Sequence, residues 1–123
     1  MALGKSALVE VTCASDAELF RLNSTRFERV AAQQSLAWRS IAALSSMNTA
    51  LATGSADDLM IRDTRQRLCA VLLRLAARRN AFQGQPPMDT LFLTQADLST
   101  AAGLSLTITT EILASLVAAG AVE

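Results

Sequence analysis

The segment from Thr94 to Leu116 constrains the fold more tightly than any other part of the chain. Thr94-Gln95-Ala96-Asp97 has the spacing of a helix start, with a capping hydroxyl and an acid in the first turn. That helix is expected to run through Leu98 and Ala101 to Ala102, where Gly103 supplies the left-handed residue that ends it. Leu104 follows as a buried plug, and Ser105 caps the next helix. Helix, three-residue turn, helix is the arrangement that presents a second helix to a major groove. On that second helix Ile108, Ile112 and Leu116 form the expected inward stripe, with Leu113 beside it. Thr107, Thr110, Glu111, Ala114 and Ala118 are expected to face outward.

The remaining sequence is compatible with such a helical unit and removes most enzymatic chemistries. Its 123 residues suffice for one small domain, or a domain with a dimerisation arm. Aromatic residues are only 4% while Ala and Leu abound, which favours packed helices over a β-sandwich. There is no histidine, so Ser-His and Cys-His nucleophile pairs are excluded. Cys13 and Cys69 make no disulfide framework or zinc spacing and are expected to be small buried hydrophobes. Paired carboxylates occur only as Asp57-Asp58, and neighbours on a helix point about 100° apart, so they do not converge on a substrate. They read instead as a helix end or hinge. No catalytic residue, metal site or cofactor is expected.

The N-terminus, Met1 to Ser6, lacks the apolar core of a signal peptide. The longest uncharged stretch, Ser40 to Ala56, is 17 residues and carries four Ser, two Thr, one Asn and one Gly. It is too short and too polar to read as membrane-spanning, and the expected setting is the cytoplasm.

Ser6 to Cys13 alternates as a strand does; Ala14-Ser15-Asp16 is turn-like, and Ala17 to Leu22 alternates again, predicting a β-hairpin. Two strands make no stable sheet alone, so this opening pairs elsewhere or belongs to a larger β domain. Thr25-Arg26-Phe27-Glu28 fits a capping box for a short helix to about Gln34. A second helix is expected from about Ser35 to Ala56. Its residues Ala37, Ile41, Leu44, Asn48, Leu51 and Ser55 are spaced as the seam of a short coiled coil, predicting a homodimer. The alternative is a helix buried in its own domain core. Gly54-Ser55 and Asp57-Asp58 suggest a hinge after it. Asp63 starts a third helix with Leu68, Val71, Leu72 and Leu75 on one face. Arg67, Arg74 and Arg78 fall on a neighbouring face, as a solvated surface or as phosphate contacts. Asn80 to Asp89, with Gly84 and Pro86-Pro87, reads as a loop, and Leu91 to Leu93 as a short strand at most.

The runs LMIRDTRQRLCAVLLRLAARRN (Leu59 to Asn80) and LTQADLSTAAGLSLTITTEILASLVAAGAVE (Leu93 to Glu123) resemble the C-terminal half of the Crp/Fnr regulators. In that family a dimer helix ends at a hinge Asp, here Asp63. A helix of the type RLxxxLLxLA follows, here Arg67 to Ala76, and then LTxxDLAxxxGLSxxTxxxxLxxLxxxGLI, here Leu93 to Val122. Lys5-Ser6-Ala7-Leu8-Val9 is similar to the segment closing the family's cyclic-nucleotide cassette, and Ala17 to Arg29 to the strand and helix after it.

The resemblance implies a mainly α chain in three parts. Residues 1–34 would be a β-hairpin remnant of an effector domain, 35–58 the dimerisation helix and hinge, and 59–123 a winged-helix-type helix-turn-helix domain lacking most of its wing. It implies a dimeric DNA-binding transcription regulator, whose partners are duplex DNA and a second copy of the chain. Leu106, Thr107 and Glu111 stand at the family's base-contacting positions, where Arg, Glu and Arg are usual. Thr94, Gln95, Ser105, Thr107, Thr109 and Thr110 are neutral hydrogen-bonding candidates for DNA. Arg67, Arg74 and Arg78, with the other arginines between Arg62 and Arg79, are the candidates for phosphates.

Three departures accompany it. Most of the effector cassette is absent, with Lys5 in place of the phosphate-gripping Arg and Ala52-Thr53 in place of Thr-Ser, so cyclic nucleotide is not an expected ligand. The chain ends where the family continues into its wing. Residues 80–123 hold four acids and no Lys or Arg, a net −4, whereas residues 1–79 are net +4. That distribution leaves a second function open, a dimerising interaction protein that no longer binds DNA.

Overall fold

The computed structural model describes Cys13, residues 16–81 and residues 85–123. Helices are the only regular elements among them: α1 (Ser24–Gln33), α2 (Leu36–Met60), α3 (Thr64–Leu75), α4 (Gln95–Ala102) and α5 (Leu106–Ala118). The chain divides within α2 into two compact units, Met1–Ala43 and Leu44–Glu123. No single helix among the described residues is long and apolar enough to cross a membrane.

The expected β-hairpin is not found among the described residues. All of its first strand except Cys13 lies outside them, and Ala17 to Leu22, expected as the second, has no strand structure. Leu19 and Phe20 there are 76% and 94% exposed. Alternation alone does not make a strand, because its backbone N–H and C=O groups need a paired edge and its apolar side chains a covered face. Cys13 is exposed rather than buried, whereas Cys69 is half-buried.

In the first unit α1 is capped two residues earlier than expected. The Asn23 side chain, not Thr25, accepts from the Arg26 amide at 2.8 Å. Phe27 and Trp38 meet edge to face with ring centroids 4.8 Å apart.

The helix α2 continues four residues beyond its expected end, and Gly54-Ser55 and Asp57-Asp58 lie inside it. The break falls instead at residues 61–63. Both signals read as a hinge have a tertiary reason to be helical. Asp58 is wholly buried and pairs with arginines, and Gly54 is buried where another side chain comes close.

The second unit is built on three helices. Asp63 caps α3 by accepting from the Gln66 amide at 2.7 Å, as its position predicts. Leu68 and Val71 of α3 are fully buried and form the core with Leu98 and Ala102 of α4. Leu72, Leu75, Ala101, Leu104, Ile112 and Leu113 pack around them. Past α3, Ala77 takes a left-handed backbone and the Arg78 and Arg79 amides donate to the Leu73 carbonyl. The Met88 amide then donates to the Ala76 carbonyl at 2.8 Å, tying the following connection to the end of α3. Leu91 to Leu93 form no strand.

Candidate nucleic-acid interface

At the start of α4 the Thr94 and Asp97 side chains exchange hydrogen bonds with each other's backbone amides, both at 3.1 Å, completing a capping box. The Thr94 hydroxyl also donates to Asp97 Oδ2 at 2.6 Å. These bonds hold the Asp97 carboxyl below its ordinary value, the hydroxyl more than the amide. Gly103 ends α4 at φ 59°, ψ 41°, and the Leu104 amide reaches back to the Ser99 carbonyl at 2.9 Å. Leu104 is half-buried against the core, and Ser105 caps α5 by accepting from the Ile108 amide. The chain bends by 106° between α4 and α5. This falls in the roughly 90–120° range of a helix-turn-helix.

The inward stripe of α5 differs by one position from its expected course. Thr109 is fully buried, and it continues through Ile112 and Leu113 to Leu116 at i, i+3, i+4 and i+7. Ile108, expected inside, is 38% exposed. The Thr109 hydroxyl satisfies itself on the Ser105 carbonyl at 3.0 Å, which lets a polar residue occupy a dry position. Thr109 is therefore a packing residue and not a DNA contact.

Leu106, Thr107, Thr110, Glu111 and Ala114 are exposed on α5 at i, i+1, i+4, i+5 and i+8, the periodicity of one helix face. The Thr110 hydroxyl donates to Gln95 Oε1 at 2.8 Å, tying the first turn of α4 to α5. Thr94 and Ser105 are exposed, but their side chains serve as caps.

The three arginines expected at phosphates all have partners within the chain. Arg67 Nε donates to the Ile61 carbonyl at 2.8 Å, and Arg74 Nε to Asp58 Oδ2 at 2.6 Å. Arg78 pairs with Asp89, and Arg79 takes the other oxygen of Asp58. Arg62, just before α3, and Arg65, in its first turn, are exposed and form no ion pair among the described residues. Sequence reasoning missed the Asp58 cluster. Its available signal was Gly54 and Asp58 one turn apart on a helix whose only other charges are Arg39 and Asp57.

Along α2 every residue from Trp38 to Thr53 is exposed, Ile41, Leu44 and Leu51 by 43%, 55% and 44%. Ala37 and Ser55, at the ends of the seam, are half-buried, and Asn48 is exposed. Residues 38–53 of α2 are thus uncovered within the single chain, whereas Gly54 and Asp58 near its end are buried.

Residues 66–123 match the family model described as the Crp-like helix-turn-helix domain. This part of the chain is similar to that domain family. No curated protein and no solved structure matches the chain. The matched segment contains most of α3 and all of α4 and α5, including the capping box, the Gly103 turn and the exposed face of α5. It begins at Gln66, so Asp58, Arg62, Arg65 and the α2 seam precede it.

Proposed function

We propose that the chain is a dimeric DNA-binding transcription regulator of the Crp/Fnr type, with no catalytic role and with α5 as the helix that enters the major groove. The observation that carries this reading is the exposed face of α5 held at 106° to a capped α4 inside a Crp-like domain. Residues 35–58 act as the dimerisation helix and 59–123 as the DNA-binding domain, with residues 1–34 as the end of an effector-type domain. The proposed setting is the cytoplasm.

The assignment of contacts follows from chemistry. Leu106 and Thr107 lie in the first turn of α5, where they can offer apolar contact to thymine methyls, and Glu111 can accept from a cytosine amine. With no arginine on this helix, guanine is not read in the bidentate manner. Thr110, Gln95, Thr94 and Ser105 lie around that face, and backbone amides at the two helix starts can meet phosphates. Arg62 and Arg65 are better placed to neutralise phosphates than Arg67, Arg74 and Arg78, because they have no partner to surrender among the described residues.

The test is a salt titration of the purified chain against mixed-sequence duplex, read by fluorescence anisotropy. Two unpaired arginines on each protomer of a dimer correspond to four phosphates and a log–log salt slope of about −3.6. No binding at about 20 mM salt would sink the reading. The second function, a dimerising interaction protein that does not hold DNA, is favoured by one observation, the net −4 of residues 80–123. A dimer that ignores duplex at low salt would select it.

A further inference from the structure

Six arginines lie between Arg62 and Arg79, and three of them pair with two acids of the same chain. Two of these three share one buried carboxylate. The Asp58 side chain is 0% exposed, Arg74 11% and Arg79 34%. Arg74 Nε occupies Asp58 Oδ2, and an Arg79 terminal nitrogen occupies Oδ1. Gly54, one turn earlier on α2, makes room for this: a Cβ there would sit 3.3 Å from Arg74 Cδ and 3.4 Å from Asn80 Nδ2. The stem of Arg74 therefore runs close along a glycine gap in α2, and its head ends on a carboxylate of the same helix.

We propose that Asp58 is a positioning residue that withholds Arg74 and Arg79 from DNA phosphates and so keeps phosphate-driven binding weak. This rests on the DNA-binding reading above. Two guanidiniums around one carboxylate carry a single net positive charge, and both oxygens of that carboxylate are already engaged. Sequence-independent affinity is set by the number of phosphates neutralised, whereas base contacts on α5 do not depend on these arginines. Holding back cations lowers the phosphate term common to all sequences, so overall affinity falls and its salt dependence becomes shallower. Stability alone does not call for the cluster, since a buried ion pair is often matched or exceeded by apolar residues of similar volume.

The experiment compares Asp58→Asn with Asp57→Asn in the full chain. Asp57 is the exposed neighbour and makes no ion pair among the described residues, so its variant removes the same formal charge without releasing an arginine. On mixed-sequence duplex, Asp58→Asn is expected to steepen the salt slope by about 0.9 for each arginine freed, relative to Asp57→Asn. Adding Arg79→Gln to Asp58→Asn should return about one such step. Equal slopes for the two Asn variants, with helicity preserved by circular dichroism, would overturn the proposal.

Should Asp58→Asn fail to fold, Arg79→Gln in the otherwise unchanged chain decides the matter. A slope unchanged from the parent supports a withheld arginine, and a slope shallower by about 0.9 per protomer refutes it. If the parent chain holds no duplex at all, the regulator reading fails separately. Retention on a heparin column then tests the inference alone. Later elution of Asp58→Asn than of Asp57→Asn supports it, and co-elution overturns it.

Discussion

Leu59, near the end of α2, lies against Gly103, the left-handed residue of the helix-turn-helix: a Cβ on Gly103 would sit 3.2 Å from Leu59 Cδ2. The turn between α4 and α5 is therefore touched by a side chain that precedes the Crp-like match. Gly103 meets two demands at once, a φ of 59° and a close neighbour.

Gly103→Ala is accordingly expected to lower stability by about 1–2 kcal/mol from the backbone alone, with a further loss from the Leu59 contact. Gly120 provides the comparison, since it has φ 66° but nothing within 4 Å of its missing Cβ. Gly120→Ala should lose only the backbone part. Leu59→Ala should recover some of the additional loss in a Gly103→Ala background. Urea unfolding of these three variants and of Leu59→Ala alone measures these differences, and equal effects at the two glycines would remove the claimed contact.

The reach of the sequence can be judged at this same turn. Thr94, Asp97, Gly103 and Ser105 were legible because caps and left-handed residues act within three or four positions of themselves. The stripe on α3 was legible for a similar reason, its period being a property of one helix. Asp58 was not, because its meaning depends on Arg74 and Arg79, 16 and 21 residues away. The same holds for Arg67, Arg74 and Arg78, which share a helix face by periodicity but find different partners in space. Thr109 was misread by residue type, since a self-satisfied hydroxyl lets threonine fill a core position beside the more apolar but exposed Ile108. Ala17 to Leu22 had the alternation of a strand without a described edge to pair with.

Asp97 gives the domain a pH-dependent component. Hydrogen bonds from Thr94 stabilise its ionised form in the folded state, so its folded pKa lies below the unfolded one. The unfolded chain then binds the proton more tightly. The stabilising contribution is complete above the unfolded pKa and disappears as pH falls through the folded value. Thr94→Ala removes both the hydroxyl donor to the carboxylate and the acceptor for the Asp97 amide. Thermal unfolding followed from neutral to acid pH should show a shallower acid loss for Thr94→Ala than for the parent. Parallel curves would mean that another group controls the acid limb.

The seam on α2 makes a prediction about assembly. Leu44 and Leu51 are 55% and 44% exposed in the single chain and lie seven residues apart. Covering a leucine is worth about 1.5–3 kcal/mol, and each counts twice in a symmetric pair. Replacing both with lysine should raise the dimer dissociation constant by at least about 100-fold, by 1.4 kcal/mol per tenfold. A polar residue at a core position of a helix pair specifies register at some expense in affinity, so under the proposed seam Asn48→Leu should tighten association. Sedimentation equilibrium of the three proteins measures both changes. A parent chain monomeric at micromolar concentration would eliminate the seam as an interface.

Glu111 is the position at which the chemistry of α5 can be changed most directly. It is exposed on the same face as Thr107 and lies in a domain half with no basic residue. A carboxylate there repels phosphates and faces unfavourable guanine acceptors, but it can accept from cytosine. Glu111→Arg shifts each protomer by two charge units and places a guanidinium where it can engage the O6 and N7 atoms of guanine. Non-specific affinity at low salt should rise with a steeper salt slope, since up to two further phosphates are neutralised per dimer. Selection from a random duplex pool should then enrich guanine where the parent enriches cytosine, with a discrimination of about 1–3 kcal/mol. If the parent and the variant select the same sites, α5 does not read bases through this residue, and the recognition face must be sought among Leu106, Thr107 and Gln95.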